Sequence, residues 1–207
     1  MPSKAPIHFY QDDLPADLDL GACVAIDTET MGLNPHRDRL CLVQISSGDG
    51  EAHLVKMSHP QKPAPNLARL LADETVEKLF HFARFDLAAL SHGIGPVNGP
   101  VYCTKIASKL IRTYTDRHGL SELVREVLGI EISKQQQSSD WGAAELTPEQ
   151  QVYAANDVLY LHAIRAELDR RLDREGRTAT ARAAFAFLPV RAAMDLEGFG
   201  SVDIFAH

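Results

Sequence analysis

Paired cysteines, long apolar runs and an excess of positive charge are all missing from this chain. Its three cysteines, Cys23, Cys41 and Cys103, are odd in number and far apart, and no Cys-x-x-Cys pair occurs. Neither a disulfide framework nor a structural zinc site is thereby suggested, and all three are expected to be small buried hydrophobes. No stretch approaches the roughly 20 apolar residues of a membrane helix, and the first 20 residues carry no apolar signal core. A cytoplasmic protein with no membrane partner is expected. Lys and Arg number 21 against 28 Asp and Glu, a net charge of -7. That deficit argues against a long basic track over nucleic-acid backbone, because such binding depends on Lys and Arg displacing counterions. A short substrate, or one held through bound cations, escapes the objection.

The 207 residues, 45% hydrophobic and 24% charged, suit one α/β domain with a well-buried core. Neither an internal repeat nor a low-complexity linker interrupts them. Cys23 to Glu29 is a short apolar run that turns acidic and is followed by Gly32 and Asn34-Pro35, so it reads as a strand ending at a cleft. Leu40 to Ser46 and Ala52 to Val55 read as two further strands joined by a hairpin at Ser47 to Gly50, which makes the start of the sheet an antiparallel meander. Leu67 to Leu71 looks helical. Lys78 to His81 looks like a strand running into a helix from Ala83 to His92, with Gly93 as its stop. Val101 to Cys103 is a short strand candidate.

The second half is nearly all helix, at Thr104 to Ile111, Ser121 to Leu128 and from Pro148 onward. Thr147-Pro-Glu-Gln150 has the pattern of a capping box with Pro at the first helical position, and that helix is expected to run to about Arg171. A last helix spans Thr178 to Glu197, with Phe185, Leu188 and Met194 as buried candidates and Pro189 expected to kink or shorten it.

Asp27 and Glu29 lie two apart on a strand, so both side chains face one side of the sheet. Two carboxylates held together repel unless a cation lies between them. All-oxygen ligation suits Mg²⁺ or Mn²⁺ rather than zinc, and the nine histidines form no His-Glu-x-x-His cluster. On this pair alone, a polar loop start is an equal alternative. Tyr153 and Asp157, four apart on the capped helix, share a face. Val152, Ala155, Leu159 and Ala163 are expected to supply the apolar face, leaving that pair available for a site. Asp86 sits at a strand-to-helix junction, a usual place for ligands in α/β folds, although an acid favouring the helix dipole would sit there too.

In order and spacing, Asp27-Thr-Glu29, Asp86 after His81-Phe-Ala-Arg-Phe, and Tyr153-Ala-Ala-Asn-Asp157 resemble the three motifs of the DEDD exonuclease superfamily. Its histidine subclass has a His five residues before the last Asp, where this chain has Val152. Tyr153, four before it, matches the tyrosine subclass that includes ribonuclease D. Lys134-Gln-Gln-Gln-Ser-Ser-Asp-Trp141 is similar to the segment that precedes the third motif in those relatives. Asp27 to Leu40 resembles most the short, nuclease-only nano-RNase C family, over most of the chain from about Leu14.

The resemblance implies a ribonuclease H-like mixed sheet, antiparallel in its first three strands and then parallel, flanked by helices, with no accessory helical nucleic-acid-binding domain in residues 1–207. It implies a 3′-5′ exoribonuclease that hydrolyses short oligoribonucleotides, diribonucleotides included, to nucleoside 5′-monophosphates, with two divalent cations, Mg²⁺ or Mn²⁺. Asp27, Glu29, Asp86 and Asp157 would be the metal ligands, and Tyr153 would complete the catalytic set. A homo-octamer is also implied. Thr30, Met31, His81, Arg84, Lys105, Arg112, Lys134 and Trp141 are the candidate substrate-binding residues, with Met31 placed to wedge against a base and the four cations to meet phosphate. A general ribonuclease D-like exonuclease acting on RNA or DNA would share the five central residues. A phosphatase built on Asp27-Thr-Glu-Thr30 would leave the Tyr-x-x-x-Asp helix unexplained, and a silent RNA-binding module would have no need of all four acids.

Overall fold

The computed structural model describes residues 5–206. Six strands form one sheet: β1 (Ile7–Gln11), β2 (Cys23–Thr30), β3 (Leu40–Ser46), β4 (Ala52–Lys56), β5 (Glu77–Phe80) and β6 (Val101–Cys103). Their order is β1-β4-β3-β2-β5-β6. The expected antiparallel meander is β2-β3-β4, and β1, β5 and β6 pair in parallel with their neighbours. β1 itself was not expected. Its five residues carry two half-buried apolar side chains, Ile7 and Tyr10, and its alignment depends on β4, more than 40 residues away.

Seven helices cover the sheet: α1 (Pro65–Ala72), α2 (Ala83–Gly93), α3 (Thr104–Ile111), α4 (Leu120–Leu128), α5 (Pro148–Leu159), α6 (Leu161–Arg174) and α7 (Thr178–Leu196). The capping box at Thr147 and Gln150 is formed as the sequence indicates. Three details differ from expectation. The helix begun at Pro148 ends at Tyr160, whose φ of -101° and ψ of -6° separate α5 from α6. No Gly or Pro marks that break. Pro189 lies inside α7, which continues through it, and Met194 is only half-buried whereas Phe185 and Leu188 are buried. The buried face of α5 is Ala154, Ala155 and Val158, while Val152 is 51% exposed and Ala163 of α6 is exposed too. Cys41 and Cys103 are buried and Cys23 half-buried, all free thiols.

Strand register decides which layer each side chain meets. Asp27 pairs with Gln44 and Glu29 with Leu42, and these pair onward with Leu54 and Lys56 of β4. Directly paired residues point to the same side. That side receives α5, together with a small core of Cys41, Leu42, Leu54, Trp141, Leu146 and Ala154. Thr28, between the two acids, points to the opposite side, where α2 packs. β2 pairs with β5 only through Ala25, so its acidic end runs on past the last pairing and opens a cleft at the carboxyl ends of the central strands. Among the described residues no helix is long and apolar enough to cross a membrane.

Candidate active site

The cleft encloses about 480 Å³ and is lined by Asp27, Glu29, Asp86, Tyr153 and Asp157. Each element delivers its share for a local reason. β2 alternates, so Asp27 and Glu29 emerge together. α5, capped at Thr147, brings Asp157 and Tyr153 over them from one layer. α2 starts immediately after β5 and brings Asp86 from the other. Carboxylate oxygens of Asp27, Glu29 and Asp157 all lie within 4.8 Å of one another. Asp86 stands outside that trio and accepts a 2.7 Å hydrogen bond from the Thr28 hydroxyl. Asp27 accepts one of 3.2 Å from the amide of Gln44, which is wholly buried.

Burial raises the pKa of all four carboxyl groups, and neighbouring negative charge raises those of Glu29, Asp86 and Asp157 further. Their hydrogen-bond donors, the Gln44 amide, the Thr28 hydroxyl and backbone and the Tyr153 phenol, are neutral and cannot offset that repulsion. A hard divalent cation can, and an all-carboxylate donor set is what such a cation prefers. The residues present therefore fit a Mg²⁺- or Mn²⁺-type ion. Tyr153 is also pushed up, chiefly by burial and next by the Asp157 carboxylate, so its phenol stays protonated. Its ring packs 5.9 Å from that of Trp141.

The segment between α4 and α5 forms one wall of the cleft through Gln137, Ser138, Ser139 and Trp141. It has no regular structure, so its position rests on side-chain anchors. Lys56, buried beneath it, donates 2.6 Å to the Trp141 carbonyl. Arg39 donates 3.2 Å to the Gly142 carbonyl, and Gln150 donates to the Ser139 hydroxyl and the Asp140 carbonyl.

Of the candidate substrate contacts, Thr30, Met31, His81, Lys105 and Trp141 line the cleft. His81 meets the Thr104 hydroxyl at 2.9 Å, and burial pushes it down to about 3, with Lys105 adding to the effect, so it is neutral at pH 7. Two of the proposed phosphate partners are spoken for. Arg84 forms a bidentate pair with Asp195 of α7 at 2.5 and 2.7 Å. Arg112 is 2% exposed and is held by Glu126, the Ser108 hydroxyl and the Arg117 carbonyl. Lys134 is exposed and is not among the lining residues. Basic residues look alike in a sequence, and partners as much as 111 positions away decide which are free.

Sequence reasoning also passed over Thr28, Gln44, Lys56, Leu33 and Phe82. Gln44 left a signal, a polar residue within an otherwise apolar strand. Leu33, 84% exposed at the cleft mouth, left one in its place just past the acidic strand end. A larger cavity of about 690 Å³ lies between β6, α6 and α7. Arg165 pairs there with Glu77 and the Tyr102 hydroxyl donates to Asp169, and among the described residues it contains no comparable group of converging acids.

A metal-fitting acid cluster at the strand ends, with a tyrosine one helical turn from the last acid, is the arrangement of a nuclease site. The chain belongs to the 3′-5′ exonuclease family, whose model matches residues 11–173. It is 36% identical over 154 residues to ribonuclease D of Gluconacetobacter diazotrophicus, covering 74% of this chain and 39% of that protein. It spans about two fifths of the length of the curated ribonuclease D relatives it matches. Two solved structures match nearly end to end. Brucella melitensis NrnC with bound Mg²⁺ is 56% identical with a TM-score of 0.93, over 98% of this chain and 99% of that one. Brucella melitensis NrnC bound to pGG is 57% identical with a TM-score of 0.94, over 98% of each. The ribonuclease H-like fold and the resemblance to the DEDD exonucleases and nano-RNase C expected from the motifs are both upheld.

Proposed function

We propose that this chain is a 3′-5′ exoribonuclease that hydrolyses short oligoribonucleotides, diribonucleotides included, to nucleoside 5′-monophosphates with two divalent cations, Mg²⁺ or Mn²⁺. The observation that carries the reading is the convergence of Asp27, Glu29 and Asp157 within 4.8 Å, beside Tyr153 and Asp86 in a cleft of about 480 Å³. A cleft of that size sits within the range of small-ligand sites, roughly 300–1,000 Å³. It suits one or two nucleotides better than a long strand, in keeping with the acidic net charge. That a relative at 57% identity is bound to pGG supports the same size class.

Asp27, Glu29 and Asp157 would hold one cation, and Asp27 with Asp86 the other. When bound, the cations supply neutralisation of the phosphate's charge and acidification of water. Asp86 is kept in place by the Thr28 hydroxyl, and Asp27 by Gln44. Tyr153 keeps its proton, so it orients the attacking water instead of deprotonating it. Trp141, pinned through Lys56, backs the phenol ring and excludes water from that side. Attack at phosphorus releases the 3′ oxygen of the preceding nucleotide and a nucleoside 5′-monophosphate. One exonuclease domain per chain, assembly as a homo-octamer and a cytoplasmic location complete the proposal.

The test is a side-by-side time course on a diribonucleotide, a longer single-stranded RNA and the matching DNA, with Mg²⁺ or Mn²⁺. Preferential loss of the diribonucleotide supports the reading. Equal rates at all lengths would replace it with a general ribonuclease D-like exonuclease, and inorganic phosphate as the product with a phosphatase.

A further inference from the structure

Phe82 is out of place by two independent criteria. It precedes α2 with φ +75° and ψ +44°, the left-handed region. A bulky residue is a genuine outlier there, because its Cβ crowds the backbone. Asp12 is the other described non-glycine residue with positive φ, and the backbone at Phe82 would be relaxed by glycine. The residue is also 46% exposed, although a left-handed turn at a helix start does not require an aromatic. Strain of this kind persists where the surroundings hold it and function uses it.

The surroundings are specific. Lys105 of α3 places its ammonium 4.1 Å from the centre of the Phe82 ring, a cation-π contact that fixes the ring's orientation. Both residues line the catalytic cleft. Phe82 and Leu33 also border an adjoining cavity of about 560 Å³, so the ring's exposed surface lies at the junction of the two spaces. Asp86 is one helical turn further along α2. A flat, solvent-facing aromatic next to a cation, one turn from an acid of the site, matches the physical needs of a nucleotide: a π-face for the base and positive charge for its phosphate.

We propose that Phe82 is a nucleobase platform of this enzyme, stacking on one base of the bound oligonucleotide, with Lys105 holding the ring and meeting the adjacent phosphate. The proposal rests on the exonuclease reading above and deepens it. Phe82 makes its contact at the base and takes no part in bond cleavage, so its loss falls on KM and leaves kcat nearly unchanged.

The experiment is steady-state hydrolysis of a 5′-phosphorylated diribonucleotide, and of the two analogues that lack one base each, by the unmodified enzyme, Phe82→Gly and Phe82→Tyr. Removing a stacked base is expected to raise KM by about fivefold or more. Phe82→Gly should therefore show that increase on the intact substrate and Phe82→Tyr should not. With the analogue lacking the stacked base, the unmodified enzyme and Phe82→Gly should have the same KM. A Phe82→Gly penalty equally large on all three substrates would overturn the proposal, since it would mean a structural effect, and so would an unchanged KM. Failure of the unmodified enzyme to cleave any of the three would instead defeat the exonuclease reading.

Discussion

Replacing Asp157 with Asn is expected to stabilise the cation-free protein while abolishing cleavage. Two unit charges within 4.8 Å of each other repel by about 3.5 kcal/mol or more at an effective dielectric near 20. Asp157 has two such neighbours, Asp27 and Glu29. The acids relieve most of that repulsion by holding on to protons, as their raised pKa values indicate, and each unit of pKa displacement corresponds to about 1.4 kcal/mol. Asn keeps the shape and an acceptor for the Tyr153 phenol, so what disappears is mainly charge. A net gain of about 1–3 kcal/mol is expected. For a chain of this size that is a rise in Tm of roughly 3–10 °C. Thermal unfolding in EDTA reads it directly. Saturating Mg²⁺ should narrow that lead, because the unmodified protein gains about 2.7 kcal/mol at a hundred times Kd and the variant gains less. If Asp157→Asn proved less stable than the parent in EDTA, the acids would be structural partners and not a strained cation site.

Three further outcomes follow from the geometry. Tyr153→Phe should lower kcat by about 10²-fold or more with little change in KM, and near-normal turnover in a kinetic assay would reduce the tyrosine to packing. Arg112→Met should destabilise the fold by about 3 kcal/mol by breaking a pair whose arginine is buried, at the lower end because the partner Glu126 is partly exposed and can rehydrate, while the folded fraction remains active. The Arg112 guanidinium holds Glu126 down at about 2. This depressed carboxylate therefore contributes stability above its unfolded pKa of about 4.3, and the gap between parent and variant in urea titrations should shrink as pH falls from there toward 2. Lys56→Met leaves the buried Trp141 carbonyl without its donor, a loss of about 1–3 kcal/mol, and hydrogen exchange should show the segment between α4 and α5 losing protection before the sheet does.

The parts of the site legible in the sequence are those made by local periodicity. A two-residue spacing on a strand places Asp27 with Glu29, a four-residue spacing on a well-capped helix places Tyr153 with Asp157, and a strand-to-helix junction places Asp86. Each is fixed within one element, so spacing alone suffices. What escaped depends on contacts remote in sequence. The Lys56 bond to Trp141 joins residues 85 apart, and the Thr28 bond to Asp86 joins residues 58 apart. β1 needs β4 to be a strand, and α5 ends at Tyr160 with no Gly or Pro to announce it. That Arg84 and Arg112 are engaged by Asp195 and Glu126 was illegible for the same reason, because an arginine's partner is set by the fold. Phe82 is the opposite case: its residue type argues against the conformation it adopts, and only the backbone angle reveals it.

The most direct measurement is product analysis of a 5′-phosphorylated diribonucleotide treated with the protein in Mg²⁺, in EDTA, and with Asp157→Ala in Mg²⁺. Four acids acting as one cation site predict nucleoside 5′-monophosphates in the first reaction and intact substrate in the other two. Cleavage that persists in EDTA or with Asp157→Ala would contradict that site.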